Sequence, residues 1–252
     1  MEQLAPRHLA EDWDNVGLQL GEYQQSVSGI MVTLTVTPAL VQRAIHEGTK
    51  LIVAHHPLIF RPLKKIRTDS PAGRMIADLI KNDIAVYVSH TNLDHAANGL
   101  NTWLAEDLGL EAASVLEPWD DTLETGLGRV GLCDPVTVHE LAQRLAQRWH
   151  ARVRFCGNPN TVCKKIAVCG GAGGKLVGKA FASGADVLVT GDVGYHDALD
   201  AEQLGLAVID AGHFATEQIM LKYIAKHLEQ ELGEDSIDIV QGRDGDNPWK
   251  TL

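Results

Sequence analysis

Cysteine is scarce in this 252-residue chain, and basic charge is in deficit. The four cysteines, Cys133, Cys156, Cys163 and Cys169, show no C-x-x-C spacing. That argues against a disulfide framework or a structural zinc knuckle and leaves reduced thiols in a cytoplasmic protein. Acidic side chains outnumber basic ones 33 to 22, for a formal charge of −11. Such a surface does not draw in phosphate backbones or anionic lipid, so nucleic acid is a poor default partner. No apolar run approaches the roughly 18 residues of a membrane helix. The first twenty residues have neither a basic start nor an apolar h-region, so a soluble chain without a targeting segment is expected. Low-complexity stretches and long linkers are also missing, so any domain boundary has to be a short crossing between packed lobes.

What is present is a hydrophobic fraction of 45%, enough for a substantial core in one large or two compact domains. Short runs rich in Val and Ile alternate with amphipathic stretches, the pattern of an α/β fold. Strands are expected at residues 30–36, 51–54, 84–89, 129–133, 152–156, 166–169, 187–190, 206–210 and 236–240. Between them the spacing predicts helices. Leu141, Leu145 and Trp149 repeat at helical intervals behind a Thr137/Glu140 capping box, and Phe214, Leu221, Ile224 and Leu228 form a stripe over 213–232. The stretch 111–128 has the weakest pattern, and the boundary between an N-terminal lobe, 1–120, and a C-terminal lobe, 121–252, is placed there. Residues 242–252 are polar and turn-rich, an ending suited to docking back or to an intersubunit contact.

Three of the expected strands run into metal-ligand residue types, where α/β sheets place functional groups. Leu51–Ala54 leads into His55 and His56, Val86–Ser89 into His90 and Asp94, and Leu206–Asp210 into His213 and Glu217. Neighbouring histidines on a strand would face opposite ways, and each unpartnered buried imidazole is costly; a pair of metal ions would resolve both. His213 and Glu217, four apart on a helix, share a face and could grip one ion or bridge two. The candidate ligands are therefore His55, His56, Asp94, His213 and Glu217, with His90 close behind. A mixed imidazole and carboxylate set without thiolate favours Zn, Fe, Mn, Co or Ni over Mg or Ca. Since these residues fall on both sides of the boundary at 120, the site is expected in the cleft between two interlocked lobes.

Other features admit two readings. The turn Gly170–Lys175 could cradle an anion or simply let a strand and helix pack closely; it fails both the P-loop and the dinucleotide patterns. Asp192, Tyr195, His196 and Asp197 follow another strand end. There His196 is the first candidate proton-transfer group outside the ligands, and Asp192 could instead cap a helix. Trp13-Asp14-Asn15 reads as a plug over the site or, more readily, as a packed aromatic with turn residues.

Ala5-Pro6, Trp13–Gln19, Ala54–Phe60, His90–Asp94, Cys169–Gly174 and Asp210–Glu217 together resemble, in order along nearly the whole chain, the GTP cyclohydrolase 1 type 2 homologue family, also called the Nif-three-like family. The resemblance implies a two-lobed α/β protein in the short form lacking an inserted domain, a dinuclear site on the five ligands above, and a toroidal homohexamer. It also implies hydroxide attack on a C–N bond of a nucleotide such as GTP, with a small-molecule substrate. The alternative is a non-catalytic metal-handling or regulatory protein, told apart by whether the ions keep an open coordination position. Two positions depart from the family pattern: Thr35 stands where Asp is expected, and Gly194 where a polar residue is.

Overall fold

The computed structural model describes residues 1–233, 237–242 and 247–249. In chain order its elements are β1 (Gly17–Leu20), β2 (Gly29–Thr33), α1 (Pro38–Glu47), β3 (Leu51–Ala54), α2 (Pro71–Lys81), β4 (Ala85–Val88), α3 (Thr91–His95), α4 (Leu100–Asp107), β5 (Glu111–Pro118) and β6 (Gly126–Thr137). There follow α5 (Val138–Arg148), β7 (Arg154–Cys156), β8 (Val162–Ala172), α6 (Val177–Ala182), β9 (Val187–Gly191), α7 (Tyr195–Leu204), β10 (Ala207–Asp210), α8 (His213–Glu217), α9 (Ile219–Leu232) and β11 (Asp238–Gly242). The α/β class expected from the alternating pattern is what the chain forms.

The chain divides into two compact units, residues 1–93 with 220–252, and residues 94–219. This differs from the division expected at 120. The weakly patterned stretch 111–128 is mostly strand: β5 and β6 pair antiparallel within one sheet, so the chain does not change lobe there. The last strand, β11, returns to pair in parallel with β2, from Asp238 beside Gly29 to Gly242 beside Thr33. A pairing so distant in sequence leaves no local signal.

The first unit carries a sheet of order β1-β4-β3-β2-β11, parallel except for β1. Parallel strands covered on both faces read as unbroken apolar runs, and Met31, Ile52, Val86 and Val88 are each fully buried against Leu40, Ala44 and Leu79. Thr37 begins α1 by accepting the Leu40 N–H ahead of Pro38, and Gly48 ends it in the left-handed region. The second unit carries a mixed sheet of order β5-β6-β8-β9-β10-β7. Its core gathers Ala167, Cys169, Leu188, Leu206 and Val208 with Leu176, Val177 and Ala180. The expected capping box of α5 is present, Thr137 Oγ1 accepting from the Glu140 N–H and Glu140 from the Thr137 N–H. The expected single helix over 213–232 is two, α8 and α9, divided at Gln218. No helix among the described residues is long and apolar enough to cross a membrane. Most of the turn-rich ending, and residue 236 of the last expected strand, lie outside the described residues.

Candidate functional site

In the first unit the chain leaves β3 at Ala54, yet sheet-type pairing continues for two residues. The His55 N–H donates to the Thr33 carbonyl at 3.1 Å and the His56 N–H to the Leu34 carbonyl at 2.8 Å. The expectation of opposite faces does not hold beyond the strand end: the two rings come together, with centroids 5.2 Å apart. His90, two residues past β4, joins them, its ring 5.1 Å from that of His55 and 5.8 Å from that of His56. One ring nitrogen of each lies within 4.8 Å of one from each of the others.

Each imidazole is held through Nδ1. The Ser89 carbonyl stands 2.9 Å from His55 Nδ1, Thr35 Oγ1 2.8 Å from His56 Nδ1, and the Asp14 carboxylate oxygens 2.9 and 3.0 Å from His90 Nδ1. Carbonyl and carboxylate oxygens only accept. The Nδ1 of His55 and of His90 therefore carries the proton, and in the neutral ring Nε2 keeps the lone pair that a cation needs. Thr35, where the resemblance leads one to expect Asp, supports His56 by a hydroxyl instead. Asp14 was grouped with turn residues in the sequence; it is a fully buried carboxylate that also accepts from the Thr91 N–H (3.1 Å) and hydroxyl (2.6 Å). Burial raises its carboxyl, but the hydrogen bonds from His90 and Thr91 outweigh that and hold it well below the usual carboxylate range. Trp13, expected as a packed aromatic, is 58% exposed and meets His90 and Phe60 edge-on.

In the second unit His213 opens α8 just past β10, and its Nε2 lies 3.0 Å from Oε1 of Glu217, one helical turn on and 3% exposed. The expected i, i+4 pairing is thus made. His213 Nδ1 lies 2.8 Å from Asp192 Oδ2, so Asp192 orients the imidazole, while the N-terminus of α7 is served by Asp197, which accepts the Gly194 N–H. The bond to Glu217 is the main reason the His213 imidazole is raised to about 9; burial opposes it and Asp192 adds to it. Room for this pair comes from glycine. A Cβ on Gly171, whose φ is +65°, would stand 2.5 Å from Glu217 Oε1, and one on Gly191 would stand 2.6 Å from the backbone nitrogen of His213. The glycine-rich turn is therefore a close-packing device at this position, and the Gly171 N–H is engaged by Thr216 Oγ1 at 3.0 Å. Asp210, not singled out in the sequence, ties the loops together: it accepts from Arg154 Nε and Nη2, from the Val193 N–H and from the Gly212 N–H.

Asp94 lies in α3 at the start of the same unit, with its carbonyl accepting from Asn101 Nδ2. Burial first, then the charges of Asp94 and Glu217, pushes the Cys169 thiol far above its ordinary value, so it stays protonated. Imidazoles and carboxylates remain as the ligand types. His196 is exposed, packs against Tyr195 with ring centroids 5.4 Å apart, and belongs to neither cluster of ligand atoms described above.

The family model Duf34/NIF3 (NGG1p interacting factor 3) matches residues 1–248. A Clostridium perfringens protein named GTP cyclohydrolase 1 type 2 homolog is 35% identical over 254 residues, covering 100% of this chain and 97% of its own length, so it too is a short form. A Streptococcus pneumoniae protein of the same name is 37% identical over 258 residues, with 98% and 95% covered. The crystal structure of a Bacillus cereus protein related to NIF3 superposes with a TM-score of 0.93 at 28% identity, covering 100% of this chain and 96% of that one.

Proposed function

The chain belongs to the Duf34/NIF3 family, and from that premise we propose that it is a dinuclear divalent-metal protein with hydrolase-like chemistry. The proposed ligands are His55, His56, Asp94, His213 and Glu217. The observation that carries the reading is the preset orientation of the imidazoles: acceptors on Nδ1 of His55 and His90 fix the rings, and the space for Glu217 is cut by Gly171. Ions of the Zn, Fe, Mn, Co or Ni type would supply Lewis acidity and acidify water near neutral pH. Around them, Asp192 and Thr35 hold two of the proposed ligand rings in place, and His196 is the candidate for proton transfer. The relatives' name points to a C–N bond in a nucleotide or a related small molecule as the target. We further propose a cytoplasmic homohexamer, supported by the family resemblance and by β11 standing at the end of its sheet, where an edge strand is better covered.

Elemental analysis after reconstitution tests the centre, with about two ions per chain expected because five ligands overfill one tetrahedral site. One ion or none would overturn it. A screen of the ion-loaded protein over nucleotides, phosphoesters and amides tests the chemistry; loading without turnover would move the reading to metal handling. Light scattering at micromolar concentration tests the assembly, and a monomer would refute the hexamer.

A further inference from the structure

Asp14 and His90 have no place in the five-ligand set, yet they form the most elaborately held pair in the first unit. Both Asp14 oxygens stand within 3.0 Å of His90 Nδ1, and Oδ2 takes two further hydrogen bonds from Thr91. A carboxylate withdrawn fully from water is costly unless it has a purpose that its partners share. Capping the Thr91 turn would need only the Thr91 contacts. The contacts to His90 achieve something else: they set its tautomer and fix its ring beside those of His55 and His56. A carboxylate on the far nitrogen of an imidazole is the usual support of a metal-binding histidine, raising its basicity and holding its direction.

We propose that His90 is itself an ion ligand, adding a third imidazole beside His55 and His56 to the centre proposed above, for a borderline divalent cation such as zinc or cobalt, and that Asp14 is its positioning residue. The inference rests on the metal-binding reading above and extends it by one ligand and one support. Three imidazole nitrogens within 4.8 Å of one another match zinc, cobalt or nickel and not magnesium or calcium. All four residues belong to the first unit.

The test uses the full chain, titrated with Co²⁺ by visible absorption and with Zn²⁺ by long-range ¹H–¹⁵N spectra of the imidazoles. His90→Gln is expected to weaken Co²⁺ binding at the His55/His56 site at least tenfold and to change the ligand-field spectrum. Asp14→Asn is expected to weaken it by about 10–100-fold, and to lose the fixed Nδ1–H tautomer of His90 in the ion-free protein. His46→Gln, an exposed histidine on α1, should change nothing. A folded His90→Gln protein with undiminished affinity and an unaltered spectrum would overturn the proposal while leaving the five-ligand centre standing. If that variant fails to fold, the wild-type Nε2 resonance of His90 decides: a large shift on adding zinc supports ligation, and an unmoved resonance overturns it. A wild-type chain that takes up neither ion sinks both readings.

Discussion

Replacing Gly171 by Ala tests the claim that a missing side chain shapes the Glu217 site. The new Cβ would lie 2.5 Å from Glu217 Oε1 and 3.5 Å from His213 Cε1. An ordinary C···O approach is about 3.3–3.6 Å, so the carboxylate must retreat by roughly 1 Å. At a φ of +65° the alanine also adopts the left-handed region, at about 1–2 kcal/mol. Weakening the charge-assisted bond between His213 and Glu217 adds about 1–2 kcal/mol. The sum of about 2–4 kcal/mol corresponds to a fall of roughly 4–16 °C in Tm for a chain of this size. Two comparisons separate the contributions. Gly205 has a φ of +76°, and an added Cβ there meets nothing within 4 Å among the described residues, so Gly205→Ala reports the backbone contribution alone. Gly178 lies inside α6 with no positive φ and open space, so Gly178→Ala should stabilise by about 0.5–1 kcal/mol. Calorimetry of the ion-free variants, with zinc titration of each, gives the answer. The steric account of Glu217 fails if Gly171→Ala loses no more stability than Gly205→Ala and binds zinc as tightly as the parent chain.

Asp210→Asn puts an amide where four donors converge on a carboxylate, so unfolding measurements should show a loss of about 1–3 kcal/mol. The same variant should bind metal less tightly, because the Gly212 turn that presents His213 is no longer held. The imidazole of His213, raised to about 9 by Glu217, burial notwithstanding, and by Asp192, gives a signed pH dependence. Its contribution to ion-free stability is fully present below about pH 6.5 and disappears as pH rises through about 9. His213→Gln should remove that slope from Tm against pH. Metal loading near pH 7.5 should also release a proton from this residue, readable by calorimetry in buffers of different ionisation enthalpy; no buffer dependence would contradict the assignment.

The strands that proved legible, β2, β3, β4, β9 and β10, are buried on both faces and spell themselves out as Val and Ile runs. β5 does not, because Glu111-Ala112-Ala113-Ser114 is exposed at the end of its sheet and shows no alternation. β1 is four residues with two glycine-bounded ends and no β-branched side chain. Among the candidate ligands, His55, His56, His213 and Glu217 stand out in the sequence because each lies just past an apolar run. Asp14 could not: its partner His90 is 76 residues away, and an Asp beside Trp and Asn reads as a turn. Asp210 was read as the last residue of a strand, which it is, while the four bonds that make it a hub come from loops that only the fold assembles.

The two units arrive at the same local solution by different routes. In the first, the sheet continues to hold the backbone past β3, so two successive histidines project from a fixed main chain, and their Nδ1 atoms find a hydroxyl and a carbonyl already in place. In the second, a glycine with φ of +87° at position 212 turns the chain off β10 into α8, and the helix supplies the spacing that pairs His213 with Glu217. In each, the imidazole is oriented by an oxygen acceptor at a strand end and not by solvent. Preset rings lose little further freedom when a cation arrives, which is where a binding site gains affinity. The proposed metal centre would account for the desolvation of His55, Asp14 and Glu217, polar groups whose burial is otherwise costly.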